Sequence, residues 1–187
     1  QKLLFNGTRH GIESYFKNAN ENKEKIKDAI TKASLKWNVP EWVLFGIMAV
    51  ESGGNAQARN TESSATGPMQ ILGPTARELG LNTSRGNDER YSYEKSVDAA
   101  AKYLALLFKR FKQWPLAISA YNAGGGGMNK IITSALARKS LLGKRPGTAE
   151  EGVNLVTIAS PEFGNKFGEH PVLYSFMVGA LSEIFQK

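Results

Sequence analysis

Glu51 is the residue of this sequence whose type and position best suit acid–base chemistry. It follows Leu44 and Ile47 at helical spacing, so it shares a face with apolar side chains that are expected in a core. It also lies in the last turn of that predicted helix, where the negative end of the backbone dipole disfavours a carboxylate. Because burial disfavours the charged form as well, we predict a raised pKa for Glu51, which suits a general acid. The alternative is a solvent-facing glutamate in a fraying last turn.

The element that positions Glu51 is a predicted helix with clear start and stop signals. Pro40 and Glu41 are typical of a first turn, and Ser52-Gly53-Gly54 ends the apolar pattern with glycine. Apolar spacing predicts further helices over residues 21–37, 74–79, 94–112, 115–123, 128–138 and 172–185. The remaining stretches are predicted as polar loops (55–73 and 81–92), a helix linker (124–127) and a long irregular segment (140–170). The predicted class is mainly α, with room for one small β element in residues 140–170.

Length and composition limit the kinds of site that the chain can build. It has 187 residues, which fits a single domain over residues 1–187 with a core of its own. It contains no cysteine, which excludes disulfide scaffolds, thiol catalysis, zinc fingers and iron–sulfur sites. The two histidines, His10 and His170, lie at opposite ends and form no His-Glu-x-x-His pair. We therefore expect neither a metal nor a cofactor.

The net charge of +7, from 24 Lys and Arg against 17 Asp and Glu, predicts an anionic partner. Nucleic acid, a membrane surface and bacterial wall polymers all qualify. The aromatic residues fall mostly on apolar stripes and are not interleaved with basic residues, which argues against nucleic acid. No apolar run reaches the roughly eighteen residues of a membrane span, so membrane insertion is not expected. The chain begins with Gln1, and residues 1–16 contain no signal-peptide core. Both features are expected of a mature chain or an excised domain.

Three short motifs follow one another along the central part of the chain. Glu51-Ser52-Gly53-Gly54 is followed by Ser63-Ser64-Ala65-Thr66-Gly67-Pro68-Met69-Gln70 and then by Ala120-Tyr121-Asn122-Ala123-Gly124. In this order they resemble the lytic transglycosylase and goose-type lysozyme superfamily, whose members cleave the glycan of bacterial peptidoglycan. The resemblance is best over residues 38–130, and it implies a lysozyme-like helical domain of the goose type.

The resemblance implies roles for the residues of the first two motifs. Glu51 matches the catalytic acid/base of the family. Gly67, Met69 and Gln70 match its Gly-Leu-Met-Gln motif, which lines the sugar cleft, with Pro68 in place of the leucine. That replacement is tolerable because the leucine position chiefly packs.

Further substrate-binding residues are implied beside the acid and later in the chain. Tyr121 and Asn122 match the Ala-Tyr-Asn-Ala-Gly motif, in which the tyrosine faces the acid and the substrate, although a half-buried core tyrosine is the alternative. Ser52, next to the acid, is another candidate. Glu169 and Tyr174 are candidates for supporting the substrate's N-acetyl group, the alternative being a helix-start acid and a core tyrosine.

The number of carboxylates near the acid bears on the reaction. Glycosidases ordinarily use two, but the only other acid between Glu51 and Gln70 is Glu62, in a predicted polar loop. A single glutamate suits lytic transglycosylation, as the resemblance implies. Glu51 would protonate the oxygen between N-acetylmuramic acid and N-acetylglucosamine, and the substrate's N-acetyl group would stabilise the anomeric carbon. Glu51 would then deprotonate the C6 hydroxyl as a 1,6-anhydro ring closes.

The leading hypothesis is therefore a peptidoglycan lytic transglycosylase whose partner is the glycan strand. A hydrolysing lysozyme of the same fold is one alternative, and a non-catalytic basic module that binds wall polymer or nucleic acid is another. The Ser-Ser-Ala-Thr-Gly stretch, residues 63–67, looks most like members carried by bacteriophages. The expected location is a phage virion, with other virion proteins as partners through a longer parent chain, or a bacterial periplasm.

Overall fold

The computed structural model describes residues 17–129 and 178–179, and it is mainly helical in these ranges. The helices are α1 Lys17–Glu21, α2 Lys23–Trp37, α3 Glu41–Ser52, α4 Gly73–Leu79, α5 Tyr93–Phe111 and α6 Trp114–Ala123, with a 3-10 helix at Glu89–Tyr91. Residues 125–129 and 178–179 are helical as well. The prediction of a mainly α class is confirmed.

Helix α3, which carries Glu51, is buried along most of its length. Residues 43–49 are all buried, and full burial of a Leu or Ile side chain contributes about 1.5–3 kcal/mol. Gly46 lets another backbone segment approach, because a Cβ at this position would lie 2.1 Å from the carbonyl oxygen of Val178. The helix ends at Ser52 and is capped by Gly53, whose left-handed conformation has φ 59°. The predicted start and end of this helix are therefore confirmed.

Helix α2 is tied to its neighbours by polar contacts near its C-terminal half. The Thr31 hydroxyl donates to Glu41 at the start of α3 over 2.6 Å. The Trp37 indole N–H donates to Asp98 on α5 over 2.9 Å. These bonds fix α2 against both α3 and α5.

A small hairpin occupies the region that was predicted as the polar loop 81–92. Strands β1 Thr83–Ser84 and β2 Asn87–Asp88 pair antiparallel, with the first residue of β1 opposite the last residue of β2. Their two-residue turn depends on Gly86, whose φ is +88°. The loop prediction was wrong here because strands this short and polar carry no alternating apolar pattern.

The glycine-rich residues 124–127, predicted as a linker, are mostly helical. Only Gly124 interrupts the helices, with φ 75°, and the chain is helical again from the next residue. A Cβ at Gly125 would lie 2.9 Å from the Arg110 guanidinium, so glycine allows close packing on α5. Met128 is fully buried. This packing overrides the low helix propensity of glycine.

The chain divides into two compact units, Leu104–Met177 and Lys2–Tyr103 with Val178–Lys187. Among the described residues, the second of these contains α1 to α4, the hairpin and the first part of α5. The prediction of a single domain over residues 1–187 stays a prediction. Within the described ranges, no helix has the length and apolarity to cross a membrane, and no three His, Asp or Glu side chains are grouped as metal ligands would be.

Candidate active site

Glu51 lies in the last turn of α3 and is half-buried. Leu44 and Ile47, which precede it on the same face, have no exposed surface. The predicted placement of the acid, at the end of a helix and beside the core, is confirmed. The raised pKa of Glu51 stays a prediction.

Contacts with three other segments of the chain hold the end of α3. The Ser52 hydroxyl donates to the Pro68 carbonyl over 2.8 Å and accepts from the Gly54 N–H over 3.2 Å. The Tyr93 hydroxyl donates to the Gly54 carbonyl over 2.6 Å, and burial raises the pKa of Tyr93, so it remains a donor at neutral pH. A Cβ at Gly54 would lie 2.7 Å from that of Ala19, so this segment also packs closely on α1. The backbone next to the acid is therefore held from three sides.

The motif at residues 67–70 forms a tight turn, which we call the Gly67–Gln70 turn. Thr66 and Ile71 close it through reciprocal backbone hydrogen bonds of 3.3 and 3.2 Å. The Gln70 side-chain amide donates to the Gly67 carbonyl over 2.8 Å, and its backbone is left-handed with φ 47°. The turn is thus shaped largely by its own hydrogen bonds.

Three of the predicted substrate-binding residues, Ser52, Gly67 and Met69, lie inside the protein. Ser52 is 8% exposed and joins α3 to the turn, and Met69 is fully buried, as a packing residue is. Gln70 is half-buried. The structure thus gives Ser52 a positioning role, and the contact of these residues with substrate stays a prediction.

Arg90, which the sequence analysis did not single out, braces this turn. Its Nη1 donates to the carbonyl oxygens of Ser64 and Ile71 over 3.1 and 3.0 Å. Its Nη2 forms a 2.7 Å ion pair with Asp88. Its own carbonyl packs against Gly67, where a Cβ would lie only 1.8 Å away. The only sequence signal for this bracing role was an aspartate two residues before the arginine, and that pattern is common in polar loops.

Residues 28–141 match the Transglycosylase SLT domain family. The match covers more than half of the chain. This chain belongs to the SLT transglycosylase domain family. The matched range includes Glu51, the Gly67–Gln70 turn and the Ala120–Gly124 motif.

Curated relatives of this chain are named as lytic murein transglycosylases. The chain is 37% identical over 105 residues to the membrane-bound lytic murein transglycosylase D of Escherichia coli. It is 29% identical over 123 residues to the membrane-bound lytic murein transglycosylase C of Edwardsiella ictaluri. These alignments cover 55% and 59% of the chain, and the chain spans 23% and 34% of the length of those relatives.

A solved structure shares the fold. The lytic transglycosylase Slt of Pseudomonas aeruginosa, solved as an inactive mutant, superposes with a TM-score of 0.61 at 19% identity. The superposition covers 85% of this chain and 23% of that one. The prediction of a lysozyme-like helical fold is confirmed.

The remaining predicted site residues lie on other parts of the chain. Tyr121 is half-buried and Asn122 is exposed, both near the end of α6. They belong to the other compact unit, and their approach to the acid stays a prediction. Glu169 and Tyr174 lie outside the described residues and beyond the SLT match.

The Arg90–Asp88 pair makes the stability of the SLT domain depend on acid pH. Hydrogen bonds from Arg90, opposed in part by burial, hold the pKa of Asp88 below its usual 3.8. The unfolded chain therefore binds this proton at a higher pH than the folded chain does. The stabilisation by Asp88 is complete above about pH 4 and is lost as the pH falls through the folded-state pKa.

Asp88→Asn should lower the free energy of unfolding by about 3 kcal/mol at pH 7, because Arg90 then remains buried without its partner. The difference from wild type should shrink below about pH 4, which urea unfolding across a pH series can measure. Asp28→Asn, at an exposed position on α2, is the matched control and should have little effect at any pH. A difference between wild type and Asp88→Asn that stays constant in acid would contradict this account.

Proposed function

We propose that this chain is a peptidoglycan lytic transglycosylase domain that cleaves the β-1,4 bond between N-acetylmuramic acid and N-acetylglucosamine with Glu51 as its single acid/base. The observation that carries the proposal is the SLT family match, which includes Glu51 and both motifs that follow it. The names of the curated relatives, lytic murein transglycosylases, support the same substrate and reaction.

The first step requires a protonated acid beside the scissile bond. Glu51 gives its proton to the glycosidic oxygen, and the bond between that oxygen and C1 of N-acetylmuramic acid breaks. The carbonyl oxygen of the same sugar's N-acetyl group stabilises the positive C1. A half-buried carboxyl at a helix C-terminus suits this step, because both features favour the neutral acid.

The second step uses the same residue as a base. Glu51, now a carboxylate, takes the proton of the C6 hydroxyl, and the C6 oxygen bonds to C1 to form the 1,6-anhydro ring. The proton given in the first step is thus recovered, and no water is consumed. The carboxyl must serve two positions in turn, so its backbone must be well fixed, and the contacts at the end of α3 support that requirement.

A single-carboxylate mechanism is further supported by the surroundings of the acid. Glu62, the only other acid between Glu51 and Gln70, is exposed in the loop before the turn. The related Slt structure was solved as an inactive mutant in which glutamine replaces a glutamate. We propose that the same replacement at Glu51 inactivates this chain.

Product chemistry tests the proposal directly. Purified sacculi digested with this chain should yield muropeptides that carry 1,6-anhydro ends, each one water lighter in mass spectrometry than the reducing ends of a hydrolase digest. Borohydride reduction gives a second readout, because anhydro ends resist it. Reducing ends without anhydro products would overturn the transglycosylase in favour of a hydrolysing lysozyme of the same fold.

A non-catalytic wall-binding module would behave differently again. It would sediment with sacculi but would leave the turbidity of a wall suspension unchanged, whereas the proposed enzyme should lower it. The wall is the place of action for either proposed source, a bacterial periplasm or a phage virion, because peptidoglycan is found there.

A further inference from the structure

A cavity of about 540 Å³ lies beside the Gly67–Gln70 turn. Its lining includes Thr66, which closes the turn, and Arg90, which braces it. The lining also includes the β1–β2 hairpin, whose tip carries Arg85. The volume is within the range of about 300–1,000 Å³ that is common for ligand sites. This cavity, which we call the arginine cavity, contains none of the residues that the resemblance assigned to the reaction.

The charges that line the arginine cavity are unbalanced. Three arginines, Arg59, Arg85 and Arg90, line the cavity together with one acidic residue, Asp88. Asp88 is already engaged by Arg90 at 2.7 Å. Neither of the other two arginines has an ion pair or a side-chain hydrogen bond with any described residue, and both are exposed. The cavity therefore offers two available guanidinium groups to an anion.

Guanidinium groups select for the geometry of the anion as well as its charge. Each presents a planar fork of N–H donors that matches a carboxylate in a bidentate arrangement. The hairpin fixes the backbone of Arg85, because its two-residue turn requires the left-handed φ of +88° at Gly86. Arg59 is fixed through its backbone bridge to Thr66. The two donors are thus carried by backbone segments that are held in place.

We propose that the arginine cavity binds the carboxylates of the stem peptide on the glycan strand, with Arg59 and Arg85 as the contacting residues. This inference rests on the proposed function, which supplies the strand. The sugars at the scissile bond are joined through neutral groups, whereas the peptides on the N-acetylmuramic acid residues carry free carboxylates. A cavity next to the turn assigned to the sugars is where a peptide branching from the bound strand would lie.

Direct binding tests the cavity without any need for catalysis. The probe is the tetrapeptide released from sacculi by an amidase and labelled for fluorescence anisotropy. It should bind the wild-type chain, and the double variant Arg59→Gln/Arg85→Gln should weaken binding about tenfold or more, since two charge-assisted contacts are lost. The control Lys25→Gln/Lys27→Gln removes the same charge from exposed positions on α2 and should bind as wild type does. Equal affinity of all three proteins, or no binding to the wild type, would overturn the proposal.

A second measurement links the cavity to the reaction. Cleavage of peptide-bearing strands should fall about tenfold in the arginine double variant through a higher KM, while cleavage of strands stripped of peptide by the amidase should be unchanged. An equal loss on both strands would overturn peptide recognition, and so would equal binding of a tetrapeptide whose carboxyl groups have been amidated. Wild-type protein that binds tetrapeptide yet cleaves neither strand would instead contradict the proposed function and leave the binding site intact.

Discussion

Glu51→Gln is expected to reduce strand cleavage by at least about 1,000-fold, because one residue supplies both the proton and the base in the proposed reaction. The substitution removes the ionisable proton and keeps the size of the side chain. The half-buried position at the end of α3 should therefore be preserved. Release of soluble muropeptides from sacculi, measured by mass spectrometry, checks the loss, and thermal unfolding checks that the fold is retained.

The matched control for this experiment is Glu62→Gln. Glu62 is the other acid in the segment between the helix end and the turn, and it is exposed. It should retain activity within about twofold of wild type, as surface substitutions away from a site do. If Glu62→Gln were as inactive as Glu51→Gln, two carboxylates would be at work and the single-glutamate mechanism would be wrong. Full activity of Glu51→Gln would mean that another residue is the acid.

The helices could be predicted because their signals are local. The apolar residues of α3 recur at helical spacing between a proline start and a glycine end, and the structure places α3 at Glu41–Ser52. The same logic placed Glu51 beside the core. The proposed role of Glu51 rests on the resemblance, because position alone leaves the fraying-turn alternative open.

The bracing of the turn could not be predicted, because its signals are not local. Arg90 is buried, at 9% exposure. Its hydrogen-bond partners Ser64 and Ile71 lie 26 and 19 residues away along the chain, so no local pattern reveals the contacts. A buried arginine in a polar segment has no apolar pattern to reveal it. The β1–β2 hairpin was missed for a similar reason, because its strands are polar and two residues long.

These non-local contacts form a continuous connection from the hairpin to the acid. Arg90 packs its carbonyl against Gly67 and bonds the carbonyl of Ile71. The Pro68 carbonyl in the same turn accepts from Ser52, the residue next to Glu51. A shift of the turn should therefore displace the helix end that carries the acid. This connection predicts that stability and activity are lost together when the turn is disturbed.

Gly67→Ala tests that connection most severely. A Cβ at this position would lie 1.8 Å from the Arg90 carbonyl oxygen, and the backbone has φ +82°. We expect a loss of about 3–4 kcal/mol in the free energy of unfolding, from backbone strain and steric overlap together. Cleavage of strands should fall about 100-fold, because small displacements of an acid have effects of that order. Urea unfolding and muropeptide release measure the two losses.

Gly86→Ala is the matched control, since it shares the backbone conformation but not the steric overlap. Its φ is +88°, and a Cβ there would meet nothing within 4 Å. It should lower the free energy of unfolding by about 1 kcal/mol, which is the strain of a left-handed alanine alone. Cleavage of peptide-free strands should stay near the wild-type rate. Equal effects of the two alanines on stability would mean that the packing of Arg90 against Gly67 is unimportant. Wild-type activity in a destabilised Gly67→Ala protein would show that the turn does not position the acid.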